Sequence, residues 1–142
     1  MSLKKVKTSE VGNVAFAADA KAALKAPGFP KEKRLCQRFV RLVIQKHYGS
    51  RFNRYHAGTA HGSAYLWKNS PYAVDPDRGS VIGDILYKFG DESEPAGHVG
   101  IRIPGNLVAE NATVHGGDGD ARGTRTLQAF GKPDLIVRLP RK

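Results

Sequence analysis

The strongest periodic signal in the chain lies between residues 35 and 47. Leu35, Phe39, Leu42 and Val43 recur at three- and four-residue steps, and so do Cys36, Val40, Val43 and Ile44. Arg34, Arg38, Arg41 and Gln45 fall on the opposite side. This is the pattern of an amphipathic helix with one buried stripe, and Gly49 stops it. Cys36 sits in the first turn, at the edge of the stripe. Upstream, the alanine-rich stretch 14–25 predicts a shorter helix with Asn13 as its N-cap. Pro27, Gly28 and Pro30 end it.

Residues 50–77 are irregular in pattern. They carry His56, His61, Tyr55, Tyr65 and Trp67 among Gly, Ser and Asn, with one short helical turn expected over 64–68. From residue 81 the period becomes that of strands. Segments 82–89, 98–103, 107–112 and 135–139 read as strands. Between the second and third, Pro104, Gly105 and Asn106 form a tight turn, so those two strands predict a hairpin pairing about Gly105. Residues 90–97 read as an acidic turn and 116–123 as a Gly/Asp loop. Helices first and strands afterwards imply an α+β fold with an antiparallel sheet.

The chain has 142 residues, which fits one domain. Residues 1–12 read as a basic arm and 13–142 as the single folded unit. No apolar run approaches the length of a membrane span. The basic start, Met1 to Lys7, is followed by no apolar segment, so no secretory signal is expected. Location is left unknown, with the bacterial cell wall as the expected site of action.

The net charge of +10 is uneven. Residues 1–70 hold 14 Lys/Arg against 3 Asp/Glu, and residues 71–142 hold 9 against 10. A one-sided basic surface attracts polyanions. Nucleic acid, anionic lipid and anionic wall polymers all answer that description. No recognition helix or alternation of aromatic and basic residues supports a nucleic-acid partner. The bland alternative is a solvated face that keeps the protein soluble.

There is one cysteine, so no disulfide framework and no multi-cysteine zinc site can form. A lone cysteine is commonly a small buried hydrophobe. Cys36 begins a helix, however, where the positive end of the dipole favours a thiolate. His98 begins a strand, and Asn111 lies near the end of the next strand of the hairpin. Sequence order Cys, His, Asn thereby becomes spatial contact. In that arrangement an imidazole pairs with the thiolate and a third polar side chain holds the ring.

Local motifs sharpen this. Cys36-Gln37-Arg38-Phe39-Val40, Ala64-Tyr65-Leu66-Trp67, Gly83-Asp84-Ile85-Leu86 and Gly97-His98-Val99-Gly100-Ile101 occur in that order. Together they resemble the NlpC/P60 and CHAP superfamily of papain-like cell-wall cysteine hydrolases, over about residues 34–112. The Ala-x-x-Trp stretch looks more like the CHAP branch. The resemblance implies a papain-like fold, with N-terminal helices packed on an antiparallel sheet. It implies Cys36 as nucleophile and His98 as base. For the third residue, Glu110 and Asn111 are both available and face opposite sides of the strand. Asn111 followed by Ala112 matches the polar-Ala ending of NlpC/P60 domains better, so Asn111 is the expected residue and Glu110 the alternative. The Cys36 N–H would form part of an oxyanion hole.

The implied function is peptidoglycan hydrolysis, as an amidase or endopeptidase, with stem peptides and anionic wall polymers as partners and neither metal nor cofactor. With no leader expected, a phage lysin or virion-associated hydrolase fits, as does a toxin effector. The alternative is a catalytically inactive wall-binding or phage tail module of the same fold. His56, His61 and His115 match no metal-ligand spacing. Asp118-Gly119-Asp120 reads as a turn rather than a calcium loop. Trp67 and Tyr65 are expected to pack as core or shell residues. Asp84 is expected solvated or bonded to backbone. Arg122 and Arg125 are candidates for binding a substrate carboxylate.

Overall fold

The computed structural model describes residues 12–142; the expected arm over 1–12 lies almost wholly outside them. Three helices precede the sheet: α1 (Val14–Ala23), α2 (Cys36–Tyr48) and α3 (Ala60–Lys68). The strands are β1 (Ala73–Val74), β2 (Ile85–Lys88), β3 (His98–Ile103), β4 (Leu107–Asn111), β5 (Arg122–Thr126) and β6 (Leu135–Val137). A one-turn helix α4 (Leu127–Phe130) lies between β5 and β6. The order across the sheet is β1-β6-β2-β3-β4-β5, and every pairing is antiparallel. The fold is thus the α+β arrangement expected.

Local chemistry explains the helix starts. The Asn13 side chain accepts from Phe16 N–H and caps α1. Thr59 caps α3 by accepting from Gly62 N–H, and this cap starts α3 four residues before the turn predicted over 64–68. No side chain caps α2, whose first residue is Cys36 itself. The strand alternation sorts the sheet into two faces. Ile85, Tyr87, Val99, Ile101, Ile103, Ala109 and Val137 pack with Phe16, Phe39, Val40, Val43, Ile44 and Trp67 in the main core. Leu86, Val108, Phe130 and Ile136 form a small second cluster on the other face. Trp67 is fully buried as expected, whereas Tyr65 is half exposed and stacks on Phe89 with ring centroids 5.2 Å apart.

Two glycines of the sequence motifs are required by close approach. Gly83 has φ +89°, and a Cβ there would lie 2.5 Å from the Asn13 carbonyl oxygen. Gly97 has φ +71°, and its Cβ would lie 2.4 Å from the Lys88 carbonyl oxygen. An L side chain is strained in that region and here would also clash. Asp84 is buried rather than solvated. It takes Val81 N–H at 2.8 Å and Arg138 at 2.8 and 2.9 Å. The Gly-Asp pair therefore secures the start of β2 against α1 and β6.

Candidate active site

Three elements meet where α2 begins. The β3–β4 hairpin pairs Ile101 with Ala109 and Ile103 with Leu107, so it turns about Gly105 as expected. His98, the first residue of β3, comes beside the start of α2, where Cys36 acts on the acidity of its ring. Cys36 is half-buried, neither sealed in the core nor fully open. The His98 Nε2 is 2.7 Å from Glu110 Oε1. That contact uses Nε2 and leaves Nδ1 for the thiol.

The side chain against the imidazole is therefore Glu110, not the expected Asn111. Asn111 faces the other side of β4. Its Oδ1 accepts from Leu35 N–H at 3.3 Å, and its Nδ2 donates to the carbonyls of Pro30 and Glu32 at 2.9 and 2.8 Å. The reason is the pleat. A hairpin that pairs 101 with 109 and 103 with 107 puts even-numbered residues of both strands on one face. His98 shares its face with Glu110, while Asn111 belongs to the helix side.

Glu110 is fully buried and serves four contacts. Besides His98, its Oε2 lies 2.9 Å from His115 Nε2, and Arg125 donates through Nε at 2.6 Å and Nη2 at 2.9 Å. Burial works against the carboxylate, but His98 and Arg125 outweigh it and hold the Glu110 pKa down at about 2. Burial also works against a charged His98 ring. The neighbouring Cys36 and the hydrogen-bonded Glu110 carboxylate overcome it and hold the His98 pKa up at about 9. Behind the helix start, the fully buried Tyr87 hydroxyl donates to Gln37 Oε1 at 3.0 Å. The Phe130 ring lies 5.6 Å from that of His98.

No sequence signal places His115 at this site. It sits on the 3₁₀ segment Thr113–Asp118 and packs over Gly123, where a Cβ would lie 2.8 Å from the ring. Nothing periodic marks it, although a glycine opposite Glu110 across β4 and β5 leaves the space it fills. The two arginines expected to bind a substrate carboxylate are committed within the protein. Arg125 is taken by Glu110, and Arg122 by Asp120 and the carbonyls of Ala23 and Ala26. His61 accepts from Gly90 N–H at 2.7 Å. Burial and the Arg41 charge push the His56 pKa down to about 4. Among the described residues, no cluster of three or more His, Cys, Asp or Glu side chains is arranged to hold a metal ion.

Two cavities bear on the surroundings. One of about 210 Å³, lined by Phe29, Pro30, Leu35, Arg38 and Leu42 among others, opens beside the turn before Cys36. The other, about 760 Å³, lies toward the far end of β3 around Gly105, Leu127 and Lys132, and none of Cys36, His98 and Glu110 lines it. Size does not decide here, because the titratable groups with perturbed acidity converge elsewhere.

No protein-family model matches the chain, and no curated protein matches it. Among solved structures, the crystal structure of the NlpC/p60 domain of the peptidoglycan hydrolase SagA aligns with a TM-score of 0.56 at 16% identity. The alignment covers 88% of this chain and 97% of that one. At that identity the likeness speaks for the fold. The matched structure is itself an NlpC/P60 domain. The protein therefore has the α+β, papain-like fold of an NlpC/P60 domain.

Proposed function

We propose that this protein is a peptidoglycan hydrolase, an amidase or endopeptidase that cleaves wall amide bonds through Cys36. The observation that carries the reading is the His98 imidazole held by the buried Glu110 beside Cys36 at the start of α2. The likeness to the domain of a peptidoglycan hydrolase supports the substrate class.

In this mechanism the proton of the Cys36 thiol passes to His98, which becomes the imidazolium. The sulfur attacks the amide carbonyl carbon, and the oxyanion is met by the Cys36 N–H, which as the first in its helix has no intrahelical acceptor. The C–N bond then breaks as imidazolium Nδ1 gives its proton to the departing amine, leaving a thioester. Water attacks the thioester carbon, neutral His98 takes the water's proton, and the thiolate leaves with the carboxylic acid product. Glu110 acts through His98 as a positioning residue, fixing the ring and stabilising its charge. It takes the part expected of Asn111 from the motif.

Stem peptides carry free carboxylates, and the wall around them is anionic. Exposed Lys31, Lys33, Arg34 and Arg38 surround the start of α2, and no ion pair among the described residues uses them. They supply the attraction for such a polymer. Among the described residues no helix is long and apolar enough to cross a membrane.

The test is mass spectrometry of muropeptides released from purified sacculi. The native protein is expected to release fragments with new amine and carboxyl ends, and Cys36→Ala and His98→Ala none while still folded. Equal release by Cys36→Ala would overturn the mechanism. Sacculi bound but left whole by the native protein would favour an inactive wall-binding module.

A further inference from the structure

The amide of Asn111 is spent entirely on the turn that precedes Cys36. Its oxygen takes Leu35 N–H, and both its protons go to the carbonyls of Pro30 and Glu32. Asn111 is almost completely buried. The bonds reach back 76 to 81 residues along the chain. The turn needs such a tie, because Arg34 sits at φ +68°, in the left-handed region that a non-glycine residue adopts at a cost. Such a conformation persists where its surroundings over-determine it. A further bond from Ala121 N–H to the Lys31 carbonyl, 2.7 Å, holds the same turn.

Consecutive residues of β4 thus grip the two halves of the site from opposite faces. Glu110 holds the imidazole, and Asn111 holds the backbone that ends in the sulfur. We infer that Asn111 is a positioning residue for the nucleophile, setting the start of α2 so that the Cys36 sulfur and N–H meet His98 and the substrate carbonyl in register. This rests on the thiol-hydrolase reading of Cys36. Only an amide fits the role, since it needs one acceptor and two donors. Aspartate would bring a carboxylate against two carbonyl oxygens.

Because Cys36 is the only cysteine, iodoacetamide labelling reports on that one sulfur. Asn111→Ala and Asn111→Asp are made and shown to unfold cooperatively. The labelling rate is then followed against pH, with kcat and KM on a muropeptide. The expected result is slower labelling near neutral pH, a displaced pH profile and a fall in kcat of about 100-fold, with KM little changed. Asn111→Ser, which restores one short donor and acceptor, is expected to fall between alanine and the native protein. Folded variants whose labelling profile and kcat match the native protein would overturn the inference. So would loss of the folded state in all three variants, which would assign Asn111 to folding instead. If the native protein releases no muropeptides, the proposed function fails, yet the labelling comparison still decides the part played by Asn111.

Discussion

His98 and His115 share one carboxylate: His98 Nε2 sits on Oε1 of Glu110 and His115 Nε2 on Oε2, at 2.7 and 2.9 Å. With Arg125 on both oxygens, Glu110 is the centre of a buried charge network rather than a simple third partner. The substitution Glu110→Gln keeps the shape of the side chain and removes its charge. Turnover is expected to fall by at least about 100-fold, as for other residues that orient a catalytic imidazole. Steady-state kinetics on a folded Glu110→Gln protein checks this. Unchanged turnover would remove Glu110 from the mechanism.

The same network gives a stability profile with a predictable sign. His98 is raised from 6.5 to about 9, so its contribution is complete below pH 6.5 and is lost as pH rises through 9. Glu110 is lowered from 4.5 to about 2, so its contribution is complete above pH 4.5 and is lost as pH falls through 2. The network therefore stabilises most between pH 4.5 and 6.5. The Tm difference between the native protein and His98→Ala should be largest in that window and shrink toward the alkaline side of the His98 pKa. A constant difference across the range would contradict the ion pairing. For the same reason, activity that needs the protonated His98 ring should decline as pH rises through about 9.

Helix α2 and the four strands β2, β3, β4 and β6 are legible from their apolar spacing, and α1 from its alanines and its Asn13 cap, while only the second half of α3 is. β5 is not, because Arg122–Thr126 is an edge strand with no fully buried residue and no apolar alternation. The two-residue β1 is too short to carry a period. The choice between Glu110 and Asn111 is decidable from the hairpin. Pairing about Gly105 preserves odd and even faces, which assigns Glu110 to His98 whatever the chemical likeness of Asn111 to a motif. His115 is hidden because a glycine-rich 3₁₀ segment has no periodicity to place it.

The motif glycines separate fold from site. Gly83→Ala and Gly97→Ala each place a side chain at positive φ against a carbonyl oxygen. Each should destabilise by at least about 1–2 kcal/mol, measurable by denaturant unfolding. Only Gly97 adjoins His98, so folded Gly97→Ala should label at Cys36 more slowly than the native protein, while folded Gly83→Ala labels at the native rate. Equal labelling in the two would show that the turn before β3 does not set the imidazole.

Arg125 offers the sharpest separation between charge balance and chemistry, since both its hydrogen bonds go to Glu110. Arg125→Gln leaves a fully buried carboxylate with only its two histidines. Breaking a buried pair from one side costs about 3–5 kcal/mol, and the partial exposure of Arg125 argues for the lower end. Without the guanidinium the Glu110 pKa should rise, so the acid limb of the stability profile should move to higher pH while the alkaline limb near pH 9, set by His98, stays. Thermal unfolding of Arg125→Gln, followed from the acid limb through the alkaline one, measures both. A loss of stability that is uniform across pH would mean that Arg125 serves by packing over Phe130, 5.5 Å from its ring, rather than by holding the carboxylate ionised.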